Sequence, residues 1–292
     1  MSRQRATAFV PGHVTAFFSA HPHDRPAAAG SRGAGVTLTD GVAVTVSAAA
    51  GDDGARLLDG DPGAIGAVDD VLDALSVPAV DVAVETDLPI GAGFGVSGAA
   101  ALGAALAANR AFDCGRSENE LVRLAHEAEV DRGTGLGDVV AQARGGVPIR
   151  LEPGAPGIGA LDGIPADARI EYVTFGELST ESVLGGDTTT LSAAGATALD
   201  RLRADPRLPT MMTAARGFAR SADLLVPEVE AAVEAVEAAG GEAAMAMLGR
   251  TVFALGTGLS DAGYDPDACR IHPAGARLVD GEAVDDESQR SA

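Results

Sequence analysis

The chain has 292 residues, 46% of them hydrophobic, and is therefore long enough to bury one large core or two modest ones. Its 42 acidic and 21 basic residues give a net charge of -21 at pH 7, and all the basic residues are arginines. This acidity argues against nucleic-acid binding, which needs cations to neutralise phosphates. No apolar run approaches the roughly 18–20 residues of a membrane span, so we expect neither a nucleic-acid nor a membrane partner.

The acidic residues are spread along the whole chain instead of forming one tail. Concentrated salt shortens the Debye length to about 3 Å at 1 M and so screens the repulsion between such charges. This pattern predicts a halophilic source. The first residues lack the apolar segment of a signal peptide, and Cys114 and Cys269 lack the spacing of metal ligands. We therefore expect a cytoplasmic protein with reduced thiols.

Alternating apolar residues predict the strands of the N-terminal half. Residues 36–48 alternate on either side of Asp40-Gly41, a pair typical of tight turns, and so predict a β-hairpin. In residues 80–85, three valines alternate with Asp81, Ala83 and Glu85, which predicts a strand with one exposed face.

Two helices are predicted after these strands. Residues 97–110 are almost all small and apolar, which favours a helix packed closely on another element. Residues 117–130 begin with Ser117 and Glu120 at the spacing of a capping box. Ordered structure is expected to continue over 139–143, up to the break at Gly145-Gly146.

The C-terminal half begins after a segment rich in proline and glycine, residues 152–168, which is the best candidate for a domain boundary. We expect domains over 1–152 and 153–280, and a flexible acidic tail over 281–292. Strands precede helices in each half instead of alternating with them, which favours an α+β fold. The expected elements of this half are a strand over 169–175, helices over 191–203, 211–225, 229–239 and 242–255, and a closing hairpin formed by 269–271 and 277–279.

A glycine-rich loop, residues 89–99, lies between the predicted strand 80–85 and the predicted helix 97–110. Successive glycines let several backbone N–H groups point into one concavity. The helix that follows adds unpaired N–H groups and the positive end of its dipole. Together these features predict a site for a phosphate chain.

The same loop contains Gly93-x-Gly95-x-x-Gly98, which matches the dinucleotide fingerprint. Three features weigh against that interpretation: the preceding strand alternates where a central parallel strand is apolar on both faces, the loop comes about ninety residues into the chain, and no acidic residue follows on a second strand. The absence of lysine excludes a Walker loop. A nicotinamide-dependent oxidoreductase and a catalytically silent nucleotide-binding protein stay open as alternatives to a kinase.

Two carboxylates downstream are candidates for chemistry. When the helix 117–130 is projected at about 100° per residue, Glu129 lies at the edge of the apolar face and Glu127 lies nearly opposite it. An inward carboxylate needs a partner, for which we expect Mg²⁺. Asp138 follows a glycine-rich turn and precedes an apolar run, so by itself it could be a helix N-cap.

The loop resembles the second motif of the GHMP kinase superfamily, which includes galactokinase, homoserine kinase and mevalonate kinase. The match is Pro89-x-x-x-Gly93-Phe94-Gly95-Val96-Ser97-Gly98-Ala99. The resemblance implies an ATP-dependent kinase with a mixed N-terminal ATP-binding domain and a ferredoxin-like C-terminal domain. It implies Mg²⁺ ligation by Ser97 and Glu129, and a catalytic role for both. The implied ATP contacts are Pro89, Gly91, Gly93, Gly95, Ser97 and Gly98.

A third superfamily motif places a catalytic aspartate seven residues before a Gly-Gly pair, the spacing of Asp138 and Gly145. This resemblance makes Asp138 the expected base. Within the superfamily, segments 10–18, 30–36, 125–129 and 134–138 look most like the archaeal pantoate kinase family, although His13 replaces the usual arginine of the first motif.

That family resemblance implies phosphorylation of the terminal hydroxyl of pantoate in archaeal coenzyme A biosynthesis. The substrate contacts it implies are Ser31, His126, Arg150 and Thr180. Mevalonate, homoserine and shikimate remain open as alternative acceptors. The oligomeric state also remains open, with a homodimer among the expectations.

Overall fold

The computed structural model describes residues 4–51, 53–176 and 186–279, which form two β-sheets with helices packed on them. The strands of the larger sheet are β1 (Arg5–His21), β2 (Gly30–Ala48), β3 (Arg56–Leu58), β4 (Asp61–Pro62), β5 (Val80–Thr86), β6 (Val147–Glu152), β7 (Ala160–Ile164) and β12 (Arg277–Val279). The strands of the smaller sheet are β8 (Arg169–Thr174), β9 (Ala243–Ala246), β10 (Thr251–Leu255) and β11 (Asp267–Arg270). The helices are α1 (Gly66–Leu75), α2 (Val96–Phe112), α3 (Glu118–Arg132), α4 (Asp138–Arg144), α5 (Thr189–Ala204), α6 (Leu208–Ser221), α7 (Pro227–Ala238) and the short α8 (Gly258–Asp261).

The larger sheet is built on two long antiparallel strands, β1 and β2, which pair along almost their whole length. The predicted hairpin over 36–48 is wrong, because these residues lie within the single strand β2. Pro11 pairs with Gly41 and His13 pairs with Thr37, so three residues of β2 face one residue of β1. Asp40-Gly41 therefore marks a bulge in a continuous strand, where a sequence pattern alone suggests a turn.

Helix α2 packs directly on β1 and β2, and most of its residues are buried. Its small side chains allow this contact. A methyl group placed on Gly103 would lie 2.5 Å from Val44 Cγ2, so the helix and the sheet are in contact at this glycine. The prediction of this helix is confirmed, as are the strand 80–85 and the capping box of α3 between Ser117 and Glu120.

The smaller sheet is antiparallel, with strand order β11-β8-β10-β9. The predicted strand 169–175 and the first three predicted helices of this half are confirmed as β8, α5, α6 and α7. The helix predicted over 242–255 is wrong, because this run forms β9 and β10 around a turn in which Leu248 has φ +65°. Both strands are buried, and a short apolar run without a polar face does not distinguish a strand from a helix.

The predicted closing hairpin is also wrong. Its first segment belongs to β11, which pairs with β8 in the smaller sheet. Its second segment is β12, which pairs with β1 in the larger sheet. The last described strand therefore belongs to the larger sheet. Strand β7, which also follows residue 152, pairs with β6 in the same sheet.

The division of the chain at residue 152 stays a prediction, and the tail 281–292 lies outside the described residues. Within the described ranges, no helix has the length and apolar character needed to cross a bilayer.

Candidate active site

The glycine-rich loop leads from β5 into the N-terminus of α2, as the sequence predicts. Gly91, Gly93 and Gly95 have φ values of +76°, +92° and +65°, which glycine adopts without strain. Gly95 is the N-cap of α2 and no side chain caps the helix, so the first N–H groups of α2 have no side-chain acceptor. The loop thus has the features of an anion-binding site.

The loop is held from both sheets. On one side, Thr251 Oγ1 donates a hydrogen bond of 2.8 Å to Ala92 O. On the other, the backbone N–H of His13 in β1 donates to Phe94 O at 2.9 Å. Helix α4 adds a third anchor, because Gln142 Nε2 donates to Gly95 O at 2.9 Å. These anchors fix two consecutive carbonyl groups directly before α2.

Ser97, which is half-buried, and Glu129, which is buried, form a hydrogen-bonded pair beside this helix terminus. Ser97 Oγ donates a hydrogen bond of 2.6 Å to Glu129 Oε1, and Glu129 is only 3% exposed. Burial raises the pKa of the Glu129 carboxyl to about 7, although the hydrogen bond from Ser97 opposes this shift. The inward orientation of Glu129 is confirmed, whereas Glu127 is partly exposed and faces Arg123 at 3.9 Å.

The Ser97–Glu129 pair fits a magnesium ion bound together with nucleotide. The described ranges contain no cluster of three or more His, Cys, Asp or Glu side chains that could hold a metal by themselves. Mg²⁺ in nucleotide sites typically takes one or two carboxylates and completes its shell with phosphate oxygens and water. A buried carboxylate next to a hydroxyl and a phosphate loop matches that donor set, and the metal-binding role stays a prediction.

Asp138 is the first residue of α4, and Gly137 occupies the N-cap position, so Asp138 does not cap the helix. Asp138 Oδ1 accepts a hydrogen bond of 2.7 Å from His13 Nδ1. Burial favours the protonated acid, but the hydrogen bond from His13 and the charge of Arg150 more than offset it. The pKa of Asp138 therefore lies below its ordinary value. Asp138 is thus a carboxylate at neutral pH, with 24% of its side chain exposed.

Arg150 lies on β6 and is 1% exposed. Its Nε and Nη1 atoms have no hydrogen-bond partner among the described residues. A methyl group placed on Gly137 would lie 2.7 Å from Arg150 Nε and 2.5 Å from Ser31 Oγ, so both groups border the same small space beside Asp138. A buried guanidinium with two unpaired nitrogen donors is chemically suited to binding a carboxylate, and the role of Arg150 as a substrate contact stays a prediction.

His126 lies close to the same region and is 1% exposed. Its Nε2 donates a hydrogen bond of 2.9 Å to Ala29 O, because a carbonyl oxygen can only accept. Burial lowers the pKa of His126, so the ring is neutral and its Nδ1 is an acceptor. A methyl group placed on Gly30, the residue before Ser31, would lie 3.5 Å from the His126 ring.

The two groups of residues meet at the glycine turn before α4. A methyl group placed on Gly135 would lie 2.8 Å from Glu129 Oε2 and 3.7 Å from Asp138 Oδ2. A methyl group on Gly95 would lie 3.2 Å from Asp138 Cβ, so the aspartate borders the phosphate loop. The structure thus brings Ser97, Glu129, Asp138, Arg150 and Ser31 close to one another beside the loop. The predicted contact Thr180 lies outside the described residues.

Three residues of the site are not found by sequence reasoning: His13, Gln142 and Thr251. His13 is visible only as a departure from a motif. Gln142 and Thr251 carry no local signal, since each contacts the loop through a long-range hydrogen bond.

The chain resembles known proteins over most of its length. The family described as GHMP kinases N terminal domain matches residues 63–146, which include the loop, Glu129 and Asp138. The pantoate kinase of Thermococcus kodakarensis is 38% identical over 261 residues, which cover 85% of this chain and 86% of the relative. The chain belongs to the pantoate kinase family of GHMP kinases. The family resemblance predicted from the motifs is therefore confirmed.

A second relative and a solved structure agree with this family assignment. The pantoate kinase of Methanospirillum hungatei is 35% identical over 265 residues, covering 88% of this chain and 89% of the relative. A solved structure described as a phosphotransferase related to the CoA biosynthesis pathway is 33% identical, with a TM-score of 0.83 over 94% of this chain and 98% of that chain.

The GHMP kinase fold with mixed α+β content is thereby established. The dinucleotide interpretation of the loop is not favoured. That fingerprint needs a helix that leads into a second parallel strand, whereas α2 is followed by α3, α4 and β6, and β6 pairs antiparallel with β2 and β7.

Proposed function

We propose that this protein transfers the γ-phosphoryl group of ATP to the terminal hydroxyl of pantoate. The observation that carries the proposal is the buried guanidinium of Arg150 beside the Asp138 carboxylate. A kinase that acts on a small hydroxy acid needs a group that binds the carboxylate of the acceptor and a base that takes the proton of its hydroxyl. Arg150 and Asp138 can supply these two groups. The pantoate kinases to which the chain is 35–38% identical support this acceptor.

The phosphate side of the proposed reaction uses the glycine loop and the N-terminus of α2. Their backbone N–H groups bind the nucleotide phosphates, and the anchors from Thr251, His13 and Gln142 keep the loop rigid. Ser97 and Glu129 would hold Mg²⁺, which when bound neutralises phosphate charge. Pro89, Gly91 and Gly98 complete the proposed ATP contacts.

The acceptor side uses Asp138 as the base and Arg150 as the clamp for the carboxylate of pantoate. The low pKa of Asp138 keeps the carboxylate ionised, so it can accept the proton of the attacking hydroxyl. Ser31 and His126 are proposed to contact the remaining polar groups of the acceptor, and so is Thr180. The proposed transfer is direct and in line, and the proximity of Asp138 to the loop supports direct transfer.

Release of ADP, measured for a panel of hydroxy acids and alcohols with ATP and Mg²⁺, tests this function. Turnover is expected with pantoate and not with mevalonate, homoserine or shikimate; the reverse result would reject the proposed acceptor. Asp138→Asn should bind ATP normally and lose about 10²–10⁴-fold in kcat, the usual contribution of a general base. Asp200→Asn, an exposed aspartate of α5, is the matched control. Normal turnover by Asp138→Asn would show that Asp138 is not the base.

We propose in addition a ferredoxin-like C-terminal domain and adaptation to concentrated salt. The antiparallel order β11-β8-β10-β9 corresponds to 4-1-3-2 for a β-α-β-β-α-β unit, which supports a ferredoxin-like C-terminal domain. The net charge of -21 supports adaptation to a salt-rich cytoplasm. A homodimer stays a prediction.

A further inference from the structure

The imidazole of His13 is a buried polar group for which the proposed mechanism has no role so far, since only the backbone of this residue anchors the loop. The side chain is completely buried, and its Nδ1 lies 2.7 Å from Asp138 Oδ1. Its backbone N–H donates to Phe94 O, so the same residue contacts both the proposed base and the phosphate loop. A buried imidazole that packs only for its volume would not need the contact to Asp138.

The surroundings of His13 determine its protonation state. Burial and the nearby charge of Arg150 lower the pKa of the imidazole, while Asp138 opposes this shift. Neutral His13 beside an ionised Asp138 must carry its proton on Nδ1, because the carboxylate only accepts. Its Nε2 is then an acceptor, and it has no donor among the described residues. Within the part of the chain that the structure describes, Thr15 Oγ1 also faces the ring, at 3.4 Å from Nδ1, besides Asp138 and Arg150.

We propose that His13 is a positioning residue for phosphoryl transfer: as a neutral, Nδ1-protonated imidazole it holds Oδ1 of Asp138 and leaves Oδ2 facing the acceptor hydroxyl. This proposal rests on the proposed function, in which Asp138 is the base. Asp138 Oδ2 borders the space at Gly135 that Glu129 also borders, so the free oxygen faces the phosphate side of the site.

Neutrality matters to this role. A protonated imidazole would place a full cation against Asp138 and make its carboxylate a weaker base. A neutral N–H donor fixes the orientation of the carboxylate, which otherwise turns about its side-chain bonds, while disturbing its basicity less. The backbone N–H of His13 also donates to Phe94 O, so this one residue links the base to the phosphate loop and helps fix their relative positions.

The tautomer can be measured directly on the whole protein. The chain has five histidines, so a long-range ¹H–¹⁵N spectrum of histidine-labelled protein is simple enough to assign with a His13→Asn variant. At pH 7, His13 should be neutral with its proton on Nδ1, and Asp138→Asn should change its signals. A doubly protonated ring, or a proton on Nε2, would refute the proposal whether or not the protein phosphorylates pantoate.

Two variants separate positioning from packing. In His13→Asn, the amide nitrogen can occupy the position of Nδ1 and donate to Asp138, although the side chain is smaller than histidine. In His13→Leu, the volume is kept closer to that of histidine but the donor is lost. Positioning predicts that Asn is more active than Leu, whereas packing alone predicts that Leu is the more stable and the more active variant.

The expected kinetic result is specific. His13→Leu should lose about a hundredfold in kcat, as small misplacements of catalytic groups do, with KM for ATP and pantoate nearly unchanged. His13→Asn should keep kcat within about tenfold of wild type. If His13→Leu matches or exceeds His13→Asn in kcat, or if only KM changes, His13 does not position the base. Wild-type turnover of pantoate is recorded in the same assay, so failure of the proposed function is seen separately.

Discussion

Replacing Arg150 by methionine removes the guanidinium while keeping a long, flexible side chain in the core. Arg150 is 1% exposed, and its Nε and Nη1 atoms have no partner among the described residues. If both atoms bind the acceptor carboxylate, the variant loses two charge-assisted hydrogen bonds of about 1.5–3 kcal/mol each. The sum is about 3–6 kcal/mol, and at 1.4 kcal/mol per tenfold it predicts a loss of roughly 10²–10⁴ in kcat/KM for pantoate.

The stability of the free protein should respond very differently. An unpaired charge in the interior is unfavourable, so methionine relieves a desolvation cost while it removes the attraction between Arg150 and Asp138. These effects oppose each other. We therefore expect the Tm of Arg150→Met to stay within about 4 °C of wild type, which corresponds to about 1 kcal/mol.

Titration of pantoate in an ADP-release assay, together with thermal unfolding of the free protein, tests both expectations. Arg110→Met is the matched control, because Arg110 is exposed near the end of α2 and its loss changes the net charge equally. A normal kcat/KM for Arg150→Met would refute the carboxylate clamp. A large fall in Tm would instead show that Arg150 is required for folding.

Three further predictions concern the loop, the metal pair and the net charge. Between pH 4.5 and about 7 the folded protein binds more protons at Glu129 than the unfolded chain, so free wild type loses stability as pH rises through that window. Metal-free Glu129→Gln should therefore be more stable than wild type by ~3 kcal/mol at pH 8 but not at pH 4, as measured by denaturant unfolding at both pH values. The control variant Glu127→Gln should show no such gain. Equal stabilities of Glu129→Gln and wild type at pH 8 would contradict the prediction. Gln142→Met should raise KM for ATP about fivefold, the worth of one hydrogen bond, and leave KM for pantoate unchanged; an unaltered KM for ATP would show that the loop does not need this anchor. The Tm should rise from 0.1 to 2 M KCl, because salt screens the net charge of -21, and a flat or falling Tm would reject salt adaptation.

Local signals of the sequence are confirmed where a short segment decides its own structure. The capping box between Ser117 and Glu120 is formed, and the glycine loop leads from a strand into a helix. The orientation of Glu129 also follows from helical geometry, because the spacing of apolar residues determines which side of α3 faces the core.

The errors all concern pairing between distant segments. Asp40-Gly41 has turn-forming residues, but the bulge opposite Pro11 and Gly12 exists only because β1 pairs along the whole of β2. Residues 242–255 have apolar residues suited to a helix, yet pairing of β10 with β8 favours two strands. Intrinsic propensities are worth less than about 1 kcal/mol per residue, so burial in a sheet overrides them.

The sequence by itself determined which residues are candidates for the site: a glycine-rich loop, a serine and two carboxylates from short motifs, and an arginine from the family resemblance. Only the tertiary structure decided how they act together. His13 and Asp138 are 125 residues apart in the chain and 2.7 Å apart in space, and Gln142 contacts the loop across 47 residues. Such contacts depend on the register of β1 with β2 and on the packing of α4 against α2, which arise from burial of the whole core and not from any local pattern.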